Sequence, residues 1–404
     1  MKCRNCQTPL EHVFLDLGAA PPSNAYLSAE ALHAPEVHYP LRVFVCHECW
    51  LVQTEDFAGR ETFFSEDYAY FSATSQSWLA HAARFCSDVT ERFGLGADSF
   101  VVEVASNDGY LLRNFVAAGI PCLGIEPTRS TAEAATAIGV PTRQAFFGEE
   151  QARSMVGQGE AADLIIGNNV YAHVPDICDF TLGLAASLKP EGVVSLEFPH
   201  LMQLIQGDQF DTVYHEHFSY LSLGVVSGLF QDAGLRVFDV QELPTHGGSL
   251  RVFGCLAGAS HDTRDAVADV LRGEEDFGLT RAQTYQGFTT RAEAIKNGLL
   301  SFLIEQRRAG RKVAGYGAAA KGNTLLNFAG VRPDLLAFVC DAAEGKQGKY
   351  LPGSRIPILP PESLEREKPD TVLVLPWNIA AEIKTQLSHL DADFVAAIPR
   401  IRTL

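Results

Sequence analysis

The sequence predicts an α/β protein in three parts: a small β-rich N-terminal module and two larger regions built from parallel sheets. Three observations carry this expectation. Four of the nine cysteines fall within residues 1–49 as two C-x-x-C pairs. From residue 73 onward, strand-like and helix-like segments alternate at the pitch of βαβ units. A charged, helical stretch over 262–310 separates that alternation from a second one running to residue 404. At roughly 100–200 residues per domain a chain of 404 residues accommodates this division. The expected boundaries are 1–72, 73–260 and 261–404.

The elements follow in order. Pro21 and Pro22 in LDLGAAPPSNAYL disfavour regular helix there, and LRVFVC (Leu41 to Cys46) is a short strand entering the second cysteine pair. Residues 61–72, ETFFSEDYAYFS, are rich in aromatics. SQSWLAHAARFCSDVTERF has apolar residues at helical spacing. Then come a strand (SFVVEVAS), a helix ending at Gly119, a strand (PCLGIEP), a helix (RSTAEAATAIG), a strand (ADLIIGNN), a helix (CDFTLGLAASLKP) and a strand (GVVSLEFP). The C-terminal alternation is RKVAGYG (strand), NTLLNFAG (helix), LLAFVCD and TVLVLPW (strands), AAEIKTQLSHL (helix) and FVAAIP (strand). Residues 313–326 echo residues 102–112 as strand, small-residue turn and helix, which suggests two related nucleotide-type folds.

Composition excludes several classes. Hydrophobic residues make up 47% of the chain, which rules out global disorder. No run approaches the 18 apolar residues of a membrane span, and the N-terminus MKCRNCQTPLEH has no apolar signal region, so a cytoplasmic location and no membrane partner are expected. The net charge of −17 argues against nucleic acid as a partner. Nine scattered cysteines do not form a secreted disulfide scaffold.

Cys3, Cys6, Cys46 and Cys49 have the spacing of a four-thiolate tetrahedral site, which favours zinc. All four positions filled by thiolate make the zinc structural; His47, inside the second pair, is not expected as a fifth ligand. A thioredoxin-like redox pair is the rival, but neither pair opens a helix in a βαβ unit. Cys86, Cys122, Cys178, Cys255 and Cys340 read as buried small hydrophobes.

The first strand of the central region ends in the turn Ala-Ser-Asn-Asp-Gly. Open parallel sheets bind ligands at the carboxyl ends of their strands. This places Glu103, Ser106, Asn107, Asp108 and Gly109 at a cofactor site. The glycines of a dinucleotide loop are missing and acidic charge replaces them, which suits a cationic ligand such as S-adenosylmethionine. Glu126, ending the second strand, can accept hydrogen bonds from ribose hydroxyls. Asn168 and Asn169 end the third strand at the same crevice.

FDTVYHEHFSYLS sets Tyr214, His215, Glu216, His217 and Tyr220 close together. Imidazole beside carboxylate suits acid–base chemistry near neutral pH. An extended segment would put His215 and His217 on one face, and a helical one would bring Tyr214 to His217. Metal binding by H-E-H is the rival, without H-E-x-x-H spacing to support it. His173, after the third strand, lies at the same sheet edge. THGGSLRVF puts a flexible Gly-Gly before a strand, with His246 beside it, either lining the site or forming a turn.

With these residues in view, the chain resembles the nucleotide-sugar C-methyltransferases, which add a branch methyl to a deoxyketosugar, typically at C-3. The resemblance spans essentially the whole chain and rests on CRNC and CHEC, DYAYFS, EVASNDGYLL, GIEP, NNVYAHVPD, FDTVYHEHFSYLS, HGGSLRV and GYGAAAKGNTLLN. It implies a zinc module, a central S-adenosylmethionine-binding methyltransferase fold and a C-terminal Rossmann-like domain. It implies that His217 abstracts the C-3 proton, that Tyr214 and Glu216 support it, and that His173 lies at the reacting centre. Tyr68 or Tyr70 is expected near the sugar, the choice between them open.

A nucleotide sugar also needs a grip on its pyrophosphate. Lys321 and the backbone of residues 315–322 suit that role. Tyr68, Tyr70 and Ser72 would cover the sugar or phosphates, and His215, Tyr220, His246 and Asn323 complete the expected substrate contacts. The base, thymidine or guanosine, is left open, and a monomer suffices if three domains enclose the site. The rivals are a methyltransferase with another acceptor, an NAD-dependent oxidoreductase using GYGAAAKG, and a zinc-ribbon binding module.

Overall fold

The protein is described by a computed structural model covering residues 1–57, 71–74 and 76–404. Tyr68 and Tyr70 lie outside the described residues. In the N-terminal region, β1 (His12–Ala20), β2 (Tyr39–Val45) and β3 (Val52–Thr54) form an antiparallel sheet. Alternation along β2 gives this sheet two buried faces. Leu41, Val43 and Val45 pack into an apolar cluster shared with the C-terminal region, whereas Phe44 and Cys46 join the core of the central region. The module is thus wedged between the other two.

The central region contributes β4 (Val101–Val104), β5 (Cys122–Ile125), β6 (Thr142–Arg143), β7 (Ala162–Asn168) and β8 (Leu188–Pro199). β9 (Ser219–Tyr220) leaves this region and pairs antiparallel with β3, becoming the fourth strand of the N-terminal sheet. β10 (Leu235–Leu243) and β11 (Ser249–Leu256) return to the central sheet, whose order is β10-β11-β8-β7-β4-β5-β6. Strands β4 to β8 are parallel, as the alternation predicts. The antiparallel pair β10–β11 at one edge departs from the all-parallel expectation. It closes through the tight turn at residues 244–248, so no helical crossover is needed. Order reverses between β4 and β7, and such a switch point opens a crevice at the strands' carboxyl ends.

Local signals start the helices where expected. The Asp176 carboxylate accepts from Asp179 N at 3.0 Å to begin Ile177–Ser187, and Ser222 accepts from Val225 N at 3.2 Å to begin Leu223–Asp232. The stretch 262–310 forms Asp265–Phe277, Ala282–Tyr285 and Phe288–Arg308. The last of these packs its buried face, Ile295, Leu299 and Leu303, into the cluster shared with β1 and β2.

The C-terminal sheet contains β12 (Val313–Tyr316), β13 (Val339–Cys340), β14 (Ile358–Leu359), β15 (Thr371–Val374), β16 (Asp393–Ala396) and β17 (Arg402–Thr403). Its order is β14-β13-β12-β15-β16-β17, parallel except at β17. Its switch point lies between β12 and β15, and the helix Ala320–Ala329 starts there. Among the described residues no helix is long and apolar enough to cross a membrane.

Four of the five isolated cysteines are buried; Cys178 is half-buried beside the N-terminal module, its thiol 3.6 Å from Asn5 Oδ1. One polar cluster ties the connector helix to the central region. Buried Glu274 accepts from His200 Nε2 at 2.8 Å and from the backbone N–H groups of Leu223 and Gly224, at the start of the helix Leu223–Asp232. Glu274→Ala strips the helix start of its acceptor and leaves buried His200 without its partner. A loss of about 3 kcal/mol is expected, read as a lower urea midpoint.

Candidate active site

The two cysteine pairs form matching turns. Gln7 N donates to Cys3 O and Trp50 N to Cys46 O, each at 3.0 Å, and Gln7 and Trp50 both take a left-handed backbone with φ of 62°. The four thiol sulfurs lie within 4.8 Å of one another, with Cys3–Cys49 and Cys6–Cys46 at 3.5 Å. A tetrahedral zinc with bonds of about 2.3 Å needs sulfurs roughly 3.8 Å apart, so the donor set fits zinc and leaves no open position. Buried Gln53 donates to Cys3 Sγ at 3.1 Å and accepts from Arg4 N at 2.9 Å. Arg4 reaches outward to Pro175 O and Thr54 O, and its guanidinium sits 5.3 Å above the Phe218 ring.

The turn after β4 is left-handed at alternate positions, with φ of 56° at Ala105, 50° at Asn107 and 75° at Gly109. Only the third is glycine, so side chains stand where a dinucleotide loop has none. Asn107 Oδ1 accepts from Ser72 N at 3.0 Å and Asp108 Oδ2 from Ala73 N at 2.8 Å, fastening the preceding chain over the turn. Ser106 is fully buried, and a Cβ at Gly124 would meet its hydroxyl at 2.3 Å. The Glu126 carboxylate accepts from Asn107 N at Oε2 and from both Thr128 N and the Thr128 hydroxyl at Oε1, so Oε2 is the oxygen that keeps a second acceptor site.

The acidic charge expected here is smaller than the sequence suggests. Glu103 is 1% exposed, and burial, then Asp108 and Glu126, drives its carboxyl well above the usual range, which disfavours its charged form. Burial also raises Asp108. At the end of β7, Asn168 Oδ1 and both polar atoms of the Asn169 side chain are buried without a hydrogen-bond partner among the described residues. Orphaned amide atoms at a strand terminus fit a polar ligand.

Residues 213–218 form a tight turn, neither extended nor helical, between a short 3-10 helix ending at Thr212 and strand β9. His217 N donates to Tyr214 O at 2.9 Å, which brings the Tyr214 and His217 rings to 3.9 Å between centroids. The His173 ring stands edge-on to His217 at 4.6 Å. His217 Nδ1 lies 2.8 Å from Thr212 O. A carbonyl only accepts, so Nδ1 carries the proton and Nε2 holds the free lone pair. Burial, then the neighbouring His173, keeps His217 well below the ordinary imidazole pKa, and burial brings His173 to about 4. His215 points the opposite way, its Nε2 3.3 Å from Tyr39 O and Pro40 O.

A cavity of about 420 Å³ joins these parts. Its described wall includes Asn107 and Glu126 from the central switch point, Asn168, Asn169 and His173 from β7 and the turn after it, Tyr214, Glu216 and His217, and Ala319, Lys321 and Pro376 from the C-terminal switch point. Both crevices therefore open into one space. Ser72 and His246 also line it. Glu103, Ser106, Asp108 and Gly109 sit beneath the wall, and His215, Tyr220 and Asn323 are buried outside it. Asn323 Nδ2 donates to Ser23 O at 2.9 Å, and the Tyr220 ring is 6.1 Å from that of His217.

The Gly-Gly pair meets a packing requirement. Gly247 and Gly248 have φ of 92° and 117°, and a Cβ on Gly247 would meet the Trp377 ring at 2.4 Å. That ring lies 5.1 Å from Lys321 Nζ and donates from Nε1 to buried Asp211 at 2.7 Å. Burial pushes Asp211 up to about 6 against the opposing charge of Lys321.

Sequence reasoning missed Asn24, Trp78 and Lys346, all on the cavity wall. Trp78 stacks on His81 with centroids 4.9 Å apart, and nothing in its helical pattern distinguishes it from core. Asn24 sits in the segment read only as helix-breaking.

Comparisons with known proteins match the chain in three stretches. Family models match as a zinc binding domain over 3–64, a methyltransferase domain over 78–240 and a C-methyltransferase C-terminal domain over 244–399. C-methyltransferase NovU of Streptomyces niveus is 36% identical over 406 residues, covering 100% of this chain and 96% of its own. Among solved structures, magnesium protoporphyrin IX methyltransferase of Synechocystis PCC 6803 is 12% identical, covering 44% of this chain and 78% of its own with a TM-score of 0.34. An S-adenosylmethionine-dependent methyltransferase of Clostridium acetobutylicum is 11% identical, covering 46% and 93% with a TM-score of 0.36.

One zinc per chain is expected by elemental analysis. Cys46→Ser lowers that content and the thermal midpoint together, because metal binding to this module is folding free energy.

Proposed function

The chain belongs to the C-methyltransferases that carry an N-terminal zinc-binding domain, and from that premise we propose that it methylates C-3 of a nucleotide-linked 4-keto-deoxysugar with His217 as general base. It is an S-adenosylmethionine-dependent methyltransferase with a structural zinc, the cofactor supplying an electrophilic methyl on a sulfonium that departs as a neutral thioether. The observation that carries the proposal is the contact of His217 Nδ1 with Thr212 O at 2.8 Å. With Nδ1–H given to Thr212 O, Nε2 is a neutral base at the wall of the cavity where the two switch points meet.

A ketone at C-4 acidifies the C-3 hydrogen. His217 Nε2 takes that proton, and the pair from the C–H bond moves toward the carbonyl oxygen. Tyr214, His173 or a bound water would donate to the developing oxyanion. The C-3 carbanion so formed would be the nucleophile toward the methyl that the cofactor supplies. Burial of His217 and His173 suits this step, since neutral imidazoles neither repel the approaching cation nor need to lose a proton first.

On the cofactor side, Asn107, Glu126, Asn168 and Asn169 would hold S-adenosylmethionine, with Glu103, Ser106, Asp108 and Gly109 shaping the turn beneath it. On the substrate side, Lys321 and the start of the helix Ala320–Ala329 would hold the diphosphate, with Lys346 as a second cation on the same wall. Ser72 and His246 face the same space. The cations are few and local, as an overall charge of −17 requires.

Incubation with S-adenosylmethionine and a panel of 4-keto nucleotide sugars tests the substrate class. Methylation at C-3 is expected, and methylation at oxygen, or of none of the panel, contradicts the proposal. His217→Asn, folded by circular dichroism, is expected to lower kcat by about 10²–10⁴. The pH profile follows from the shift. A base whose folded pKa is depressed stays neutral as pH falls through the ordinary histidine range. The acid limb of wild-type kcat/KM is therefore expected below pH 6.5. A limb at or above that value contradicts the assignment.

A further inference from the structure

Asn24 belongs to a strap, Ser23–Leu27, that runs from the N-terminal sheet across the mouth of the C-terminal crevice. The strap is fixed at several points. Asn323 Nδ2 donates to Ser23 O at 2.9 Å, the Tyr26 hydroxyl donates to Ala318 O at 2.6 Å, and Leu27 pairs with Tyr350. Held this way, Asn24 lines the cavity and its Nδ2 lies 2.8 Å from both carboxylate oxygens of Glu216. Glu216 is 2% exposed. A carboxylate so enclosed needs donors to remain ionised. An amide supplies them without adding charge next to His217.

We propose that Asn24 is a positioning residue for the reaction: through its bifurcated hydrogen bond it keeps the Glu216 carboxylate ionised and oriented as an acceptor on the cavity wall. This rests on the reading of Glu216 as a working member of the site. It assigns the N-terminal module a part in catalysis beyond holding zinc. The module delivers through the strap a group that neither Rossmann-like domain supplies. Among the described residues, the titratable groups that share this cavity with Glu216 are Tyr214 and His217 from the turn, His173 from the end of β7, Glu126 from the central crevice, His246, and Lys321 and Lys346, the latter paired with Asp341; Tyr26 of the strap lies close enough to feel the Glu216 charge.

Asn24→Asp tests the proposal with almost no change of shape. Two carboxylates at this separation cannot both ionise, so one holds a proton at neutral pH. Activity that requires ionised Glu216 then falls at least tenfold at pH 7 and recovers as pH rises, the acid limb moving up by about one unit or more. In a Glu216→Gln background the same substitution moves no limb. A folded Asn24→Asp enzyme whose limb coincides with wild type overturns the proposal, as does a shift that persists without Glu216. Asn24→Ala covers the case in which the aspartate variant does not fold: it loses activity at every pH, and kcat within twofold of wild type overturns the proposal.

A readout independent of turnover separates this from the substrate reading. In Asn24→Asp a carboxylate pKa is raised in the folded state. Stability relative to wild type is then greatest at low pH and is lost as pH rises through that value. Glu216→Gln abolishes this dependence. If no ketosugar is methylated but the thermal midpoint behaves this way, the substrate reading fails and the pairing stands. If methylation proceeds and the midpoint shows no such dependence, the pairing fails and the substrate reading stands.

Discussion

The structure depends on how one segment, residues 212–220, is held. Its backbone carbonyls and amides are taken up from three sides. Thr324 of the C-terminal domain donates to Val213 O, Thr54 of the N-terminal module donates to His217 O, and Phe218 N donates to Ala172 O of the central domain. Ser219 and Tyr220 finish the N-terminal sheet. A tight turn that is buried, polar and pinned by separate folding units cannot shift without breaking hydrogen bonds that water has no room to replace. That constraint gives His217 one tautomer and one orientation. It also explains why the zinc module is wedged inside the molecule, since it builds part of the turn's support.

Two consequences follow from the same arrangement. Each Rossmann-like sheet has its crevice where strand order reverses, and the wedge lets the two crevices face one another across a cavity of about 420 Å³. A methyl donor and its acceptor can then be held by different domains while their reacting atoms meet. Proximity of this kind is a large part of catalysis between two substrates. The second consequence is electrostatic. Burial raises Glu103 and lowers His173 and His217, so it favours the uncharged form of each and the cavity is not crowded with imidazolium.

Much of this was legible in the sequence. The strand–helix alternation located both parallel sheets because hydrophobic period and turn residues are local signals. The two C-x-x-C pairs announced a metal site because four thiolates have few other uses at that spacing. The antiparallel edge β10–β11 was not read, since antiparallel strands joined by a short turn leave no crossover helix as a marker. Nor was the pairing of β9 with β3, which joins residues 219–220 to residues 52–53 and depends on tertiary assembly. His215 and His217 look equivalent in the sequence. Only the turn at Tyr214–His217 sends one into the cavity wall and the other against β2. Asn24 was hidden because a single asparagine after two prolines reads as a loop residue until the strap is seen to cross the site.

The account's central claim is that one space, at the junction of three domains, holds both substrates around His217. It is tested most directly by the crystal structure of a ternary complex with S-adenosylhomocysteine and a nucleotide ketosugar. The account predicts the sugar's C-3 between His217 Nε2 and the thioether sulfur, with the diphosphate beside Lys321. A sugar bound away from His217, or an imidazole presenting Nδ1 to the ligand with its bond to Thr212 O broken, contradicts it.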